Sequence, residues 1–452
     1  MNPHDKLRRR LKSIRIFTGP VLLLLLLTAC GHRQLSVRDL DTYPQQALAY
    51  VREDQVLIPP DKQEELAAEF LTLFFSPWTG VKTPIEKEKL AARYVNILKN
   101  GGLGENLLPL SPDFLQELIH NTALAGYPSK DIRGITTRAV NLRVLPTQRP
   151  RFLEKCGPDG YPFDRFQESV LWPGTPLILR HYSYDGQWAF VQAGFVAGWM
   201  AARDFAAVDE KLVDSFIRNP PAVISRDHAP LLSNRGEFLA QGRIGMILPT
   251  GRGQVLFPID TGTGARLEAI QLPADSHSGF PLAMTRSNAA SIIDELNGQP
   301  YGWGGLYENR DCSSVLRDYF TVFGVWLPRN SLAQVRTGKS HDLAGLGLKE
   351  KKALILEKGI PFLHLLGRKG HVTLYVGTYK DEPVLFHALW GIPYQGFCGA
   401  KSKRILIGRT AFTGPSPAFE NPEARKSGES LLEIMDFFTD PTWRDMPAAP
   451  EN

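Results

Sequence analysis

Between Gln299 and Gly338 the chain reads QPYGWGGLYENRDCSSVLRDYFTVFGVWLPRNSLAQVRTG, and no other stretch restricts the fold as strongly. A turn rich in glycine and aromatic residues (Tyr301, Gly302, Trp303, Gly304, Gly305) runs into an apolar-periodic segment, Val315, Leu316, Tyr319, Phe320 and Phe323. This pattern predicts a loop feeding a helix. Cys312 falls in the first turn of that helix, where unpaired N–H groups and the positive end of the helix dipole favour a nucleophilic thiolate.

A thiol nucleophile needs a proton acceptor. The segment GHVTLYVGTYKDEPVLFHALWG predicts two strands, with His371 opening the first and His387 inside the second. Setting residue 371 opposite 387 and residue 376 opposite 382 leaves a five-residue loop, 377–381, to close the hairpin. The two imidazoles are then cross-strand neighbours, one to act as base to Cys312 and the other to orient it. A Cys/His/His zinc site is the alternative, but no CxxC or HxxxH spacing supports it, so neither metal nor cofactor is expected. His341 and His364 lack such a context and read as structural or exposed.

In this order, YGWGG, RDCSS, LPRNSLAQ, GHVTLYVG and FHA resemble the NlpC-type cell-wall peptidases, papain-like cysteine enzymes that cut bacterial peptidoglycan stem peptides. The resemblance implies a papain-like α+β catalytic domain over 281–410, cutting the bond between γ-D-glutamate and the diamino acid. Cys312 would be the nucleophile, His371 the base and His387 its orienting partner. By motif position it also implies that Asp311 holds a free N-terminal L-alanine ammonium and that Ser313 and Ser331 bind the D-glutamate carboxylate. Read from the residues alone, Asp311 and Ser331 also fit helix caps. Two departures are Ser314, where the family has glycine, and the long spacing between His371 and His387.

Residues 1–29 read as a secretion signal, with a basic start (KLRRRLKSIR) and a short apolar core (VLLLLLLT). That core is shorter than the ~20 residues a membrane-spanning helix needs. Leu27-Thr28-Ala29-Cys30 resembles a lipobox, which implies cleavage before Cys30, lipidation of its thiol, and a bacterial membrane anchor facing the periplasm or cell exterior. An ordinary secretory signal is the other reading. The formal net charge of +5 resides in the signal, where Lys6, Arg8, Arg9, Arg10, Lys12 and Arg15 stand against Asp5. The remaining chain is near neutral, which removes the compositional case for nucleic-acid binding. Past Cys30 the cysteines are Cys156, Cys312 and Cys398. An odd number leaves at least one unpaired thiol in an oxidising compartment, and whether Cys156 and Cys398 are bridged stays open.

With 452 residues the chain suggests about three domains. Residues 36–135 read as helical, with starts at Asp61 to Glu64, at Thr83 to Glu86 with Pro84 in the first turn, and at Ser111-Pro112. In relatives of the peptidase family such a segment is a clip around the other domains. Residues 137–208 resemble a bacterial Src-homology-three-like barrel, with a hairpin at Tyr184-Asp185-Gly186 and a closing Gly198-Trp199. A weaker copy occupies 219–272. Residues 411–452 read as a mobile or peripherally docked tail with an amphipathic patch from Leu431 to Phe438. The expectation is an α+β multidomain protein: a lipid-anchored cysteine peptidase acting on stem peptides or muropeptides. A first barrel bearing YPFDRFQ, Tyr161 to Gln167, would close one end of the cleft and select a free L-Ala terminus. Other readings are an amidase or acyltransferase with the same triad, a wall-binding lipoprotein without activity, and a lytic role against other cells.

Overall fold

The computed structural model describes residues 37–80, 83–155, 160–394, 403–416 and 430–444. Cys30, Cys156 and Cys398 lie outside them. Among these residues no helix is long and apolar enough to cross a membrane.

Helix α1 (Pro60–Phe74) begins on Pro60, whose fixed φ and missing N–H suit a first helical position, and it has no side-chain cap. The Asp61 to Glu64 box is therefore not used. Helix α2 (Lys87–Asn100) starts beyond the Thr83 signal, with Glu86 as its N-cap. Ile85, one residue before the cap, joins the cluster that holds Leu90, a hydrophobic staple that fixes where the chain turns into the helix. Helix α3 (Pro112–Asn121) starts where predicted, its Phe114 N–H donating to the Ser111 hydroxyl at 3.2 Å.

These helices serve two neighbours. Phe70 and Phe74 of α1, with Trp78, enter the main core beside the helix that starts at Cys312, and Gln63 Nε2 donates to the Leu282 and Phe323 carbonyls. Tyr94 of α2 and Leu115 of α3 pack instead with Phe166, Phe190 and Trp199, and Trp199 Nε1 donates to Tyr94 Oη at 3.1 Å.

The first barrel comprises β1 (Ile132–Ile135), β2 (Val140–Arg143), β3 (Gln167–Leu171), β4 (Pro176–Tyr182), β5 (Trp188–Gln192), β6 (Ala197–Ala201) and β7 (Ala206–Ala207), in the spatial order β3-β2-β6-β5-β4-β1-β7. Gly186, at φ +69°, makes the β4–β5 turn, where Asp185 Oδ1 accepts from the Gln187 N–H. A short helix, α4 (Glu210–Arg218), leads to a second seven-stranded sheet running from β8 (Pro221–Ile224) to β14 (His277–Gly279).

The catalytic region opens with α5 (Arg286–Leu296) and then α6 (Cys312–Val322), whose residues are all buried. Two further helices, α7 (Ser331–Gln334) and α8 (Leu348–Lys358), follow. Its sheet contains β15 (Lys339–Asp342), β16 (Leu365–Arg368), β17 (His371–Tyr379), β18 (Glu382–Tyr394), β19 (Lys403–Thr413) and β20 (Phe437–Asp440), in the order β15-β20-β16-β17-β18-β19. The position of β20 corrects the expected tail. The strand lies between β15 and β16, and Leu431, Leu432, Met435 and Phe438 are buried with Leu366, Tyr375 and Leu385.

The hairpin register also differs from the predicted one. Tyr379 pairs with Glu382 and Leu374 with Phe386, with a shift between Tyr375 and Gly377, so a two-residue turn at Lys380-Asp381 replaces the five-residue loop. Both turn residues have positive φ, 51° and 61°, as a type I′ turn requires. Continued to the start of β17, this register sets His371 opposite Leu389, with His387 its diagonal neighbour on the same face.

Candidate active site

Asp311 is the N-cap of α6. Its carboxylate accepts from the Ser313 and Ser314 N–H groups, while the Ser314 hydroxyl accepts from the Asp311 N–H at 2.9 Å. The serine that departs from the family pattern thus closes a capping box. The preceding turn is shaped by the first barrel: Gly304 and Gly305 have φ +60° and +89°, and a Cβ on either would come within 2.6 Å of Gln167 or 2.4 Å of Val170. Only glycine lets the turn lie this close to β3. Gln167 Nε2 then donates to the Gly304 carbonyl, and Trp303 Nε1 to that of Asp164.

Cys312 occupies the first position of α6, 8% exposed, and the Val372 N–H donates to its sulfur. That amide follows His371 directly, which brings the start of β17 to the thiol. His371 Nε2 and His387 Nδ1 are 2.9 Å apart, and His387 Nε2 lies 3.1 Å from Thr413 Oγ1. Thr413, on β19, has no counterpart among the residues picked out by sequence. Cys312, His371 and His387 are thus brought together, with His371 partly exposed and His387 fully buried.

The electrostatics differ from what the helix dipole alone predicts. Burial, then the Asp311 charge, pushes the Cys312 thiol up to about 12, outweighing the Val372 and Ser313 amides and Arg329. Burial, helped by Arg368 and Arg404, pushes His371 down to about 4. At neutral pH these shifts leave the resting pair as a thiol and a neutral imidazole. Tyr301 also faces Cys312, and burial holds its phenol well above the usual range and therefore protonated.

The three predicted substrate contacts have partners of their own. Asp311 Oδ2 accepts from Arg329 Nη2 at 2.7 Å and from the Gly304 N–H at 3.0 Å, and Oδ1 accepts from the Ser313 hydroxyl and Arg329 Nη1. This saturates the carboxylate, so the N-cap reading describes Asp311 and an ammonium has no lone pair to meet there. Ser313 Oγ is occupied by Asp311 and Arg329. Ser331 Oγ accepts from the Gly370 N–H at 3.0 Å, steadying the turn before His371, and its own proton is not engaged by that bond. Arg329, in LPRNS, had no assigned role. Its Nε also donates to Ser169 Oγ of β3 at 2.7 Å, which ties the first barrel to the cap of α6.

The loop 161–167 lies across the two domains. Tyr161 packs edge-on against Trp390 of β18 at 5.9 Å, Phe163 packs against Trp303 at 5.0 Å, and Arg404 of β19 stacks over Phe163. Among the described residues no cluster of His, Cys, Asp and Glu is arranged to hold a metal ion.

Comparison with known proteins agrees with this architecture. The NlpC/P60 family model matches residues 298–389, the NLPC_P60 N-terminal stabilising domain residues 20–127, and the SH3 domain of SH3b1 type residues 150–201. A search of curated proteins returns no match. A solved structure described as a novel NlpC/P60 endopeptidase from Photobacterium damselae subsp. piscicida is 25% identical, with TM-score 0.79, over 89% of this chain and 98% of its own. An NlpC/P60 family protein from Bacillus cereus ATCC 10987 is 14% identical over 68% of this chain and 98% of its own, with TM-score 0.43, too distant to bear on the site. The chain is an α+β multidomain member of the NlpC/P60 family, generally cell-wall peptidases, with the family's N-terminal stabilising domain and an SH3-type barrel ahead of its catalytic domain.

Proposed function

We propose that this protein is a cysteine peptidase that hydrolyses the γ-D-glutamyl-diamino acid bond of peptidoglycan stem peptides carrying a free N-terminal L-Ala. The observation that carries the reading is the run Cys312, His371, His387, in which the amide next to His371 meets the thiol and the two imidazoles are 2.9 Å apart. The Cys312 sulfur attacks the γ-carbonyl carbon while its proton passes to His371. The tetrahedral oxyanion is stabilised by the Cys312 N–H at the start of α6, with the Tyr301 hydroxyl as a further donor. Collapse breaks the C–N bond, and His371 returns its proton to the departing amine. Water then attacks the thioester with His371 again as base, releasing the γ-carboxylate and the thiol.

Two features support an acidic stem peptide. Arg368 and Arg404 place positive charge near His371, which suits a substrate rich in carboxylates. Loop 161–167 packs on Trp303 and Trp390, and in this reading it narrows the cleft on the barrel side. A peptide that ends there fits where one continuing into muramic acid does not. This selection works by exclusion and does not use the Asp311 carboxylate. The lipobox-like Leu27 to Cys30 adds the proposal of a membrane-anchored protein.

Digestion of defined muropeptides followed by mass spectrometry tests the reading. It predicts release of a diamino-acid product, blocked by thiol alkylation and insensitive to chelators. Cleavage of a different amide or ester would point to an amidase or acyltransferase, and absence of any product to a wall-binding protein.

A further inference from the structure

The hydrogen-bonded run that starts at His371 does not end at His387. Thr413 is fully buried, and its Oγ1 lies 3.1 Å from His387 Nε2 and 3.2 Å from the Gly414 carbonyl oxygen. A carbonyl can only accept, so the Thr413 O–H donates to it and the hydroxyl lone pair faces His387. His387 must then carry its proton on Nε2, and its Nδ1 is left as an acceptor. That acceptor is 2.9 Å from His371 Nε2, which therefore carries a proton. The neutral His371 ring has its lone pair on Nδ1, the nitrogen outside the imidazole pair.

We infer that Thr413 is a positioning residue that fixes the order of protons through His387, so that His371 presents a basic Nδ1 to the Cys312 thiol. The inference rests on the reading of Cys312, His371 and His387 as nucleophile, base and orienting partner. Gly414 is itself held: its N–H donates to Asp39 Oδ2 at 2.7 Å, and a Cβ there would sit 2.3 Å from Tyr43 Oη. The segment ahead of α1 thus secures the carbonyl that takes the threonine proton. The charged groups around the run are Arg368 and Arg404 beside His371, Asp311 and Arg329 beside Cys312, and Asp39 beyond Gly414.

Without the hydroxyl, His387 would carry a proton on Nε2 with no acceptor in a dry interior. It would then prefer the other tautomer, donate from Nδ1 to His371 Nε2, and place the His371 proton on Nδ1, where it blocks the base. The test is alkylation of Cys312 by iodoacetamide, followed on the Cys312 peptide by mass spectrometry from about pH 5 to about pH 11. This reads the base without a peptide substrate. Wild type should show a base-assisted plateau around neutral pH and a steeper alkaline limb from free thiolate. Thr413→Val should lower the plateau about 10-fold or more and rejoin the wild-type alkaline limb, because free thiolate needs no base. Thr413→Ser, which keeps the hydroxyl, should restore the plateau. In hydrolysis, kcat should fall with the plateau while KM holds. If the Val variant does not fold, Thr413→Cys, a weak acceptor, takes its place with the same expectation. An unchanged plateau, a loss of both limbs together, or no rescue by serine overturns the inference. A wild-type profile without any plateau overturns the triad reading itself.

Discussion

The Asp311 carboxylate and the Arg329 guanidinium meet side by side just before Cys312, with Oδ2 2.7 Å from Nη2 and Oδ1 3.2 Å from Nη1. Both side chains are nearly out of water, so the pair is costly to break and its partners cannot be removed singly. Arg329→Met leaves a buried carboxylate unpaired and is expected to cost about 3–5 kcal/mol of stability. It also removes a positive charge that holds the Cys312 thiol down, so the thiol should become harder to ionise. Urea unfolding and the pH dependence of Cys312 alkylation measure the two effects. Wild-type stability in the variant would contradict the pairing.

Four histidines with lowered pKa set the acid sensitivity. Burial holds His181, His364, His371 and His387 below the ordinary histidine range. Between the folded and unfolded pKa the unfolded chain binds more protons, so stability is full above about pH 6.5 and falls as pH drops towards about 4. Asp311 is shifted the other way, held low by Arg329 against burial, and its contribution is lost only below about pH 4. A thermal-unfolding series should show Tm falling from about pH 6.5 downward. A flat Tm down to about pH 4.5 would contradict the burial of neutral imidazoles.

The C-terminal strand is expected to be essential for folding. Truncation after Ser416 removes β20 from between β15 and β16, together with buried Leu431, Leu432, Met435 and Phe438. At roughly 1.5–3 kcal/mol for each buried apolar side chain, the loss rivals the ~5–15 kcal/mol that holds a domain folded. Soluble expression and circular dichroism check this. A truncated protein that stays folded would show that β20 is dispensable.

Residues near each other in sequence were the readable ones. The glycine turn, the helix starting at Cys312 and the two histidines on a hairpin all follow from local pattern. The partners of Asp311 did not, because Arg329 comes from a separate loop and a cap carries no mark of its ion pair. Gly304 and Gly305 read as a turn, but their need for glycine comes from β3 of another domain. The His371 register was missed because a positive-φ turn at Lys380-Asp381 has no glycine to announce it and a bulge follows at Tyr375. A four-residue strand such as Phe437–Asp440 gives almost no periodic signal, and its pairing with β15 and β16 is non-local. Thr413 reaches His387 only through the β18–β19 pairing, so no motif marks it.

The proposed lipidation of Cys30 predicts a membrane-bound protein. Cys30→Ser should move it from the membrane fraction to the soluble fraction in detergent-free buffer. A variant that still sediments with membranes would contradict the lipobox reading.

The central claim is tested most directly by comparing the purified protein and its Cys312→Ala variant on free L-Ala-γ-D-Glu-diaminopimelate and on the same tripeptide acetylated at its amine. The wild-type protein should release L-Ala-D-Glu and diaminopimelate from the free peptide, act on the acetylated one much more slowly, and lose activity by several orders of magnitude in the variant. Equal kcat/KM on both peptides would contradict the proposed closing of the cleft by loop 161–167, and undiminished hydrolysis by Cys312→Ala would contradict the nucleophile on which the whole account rests.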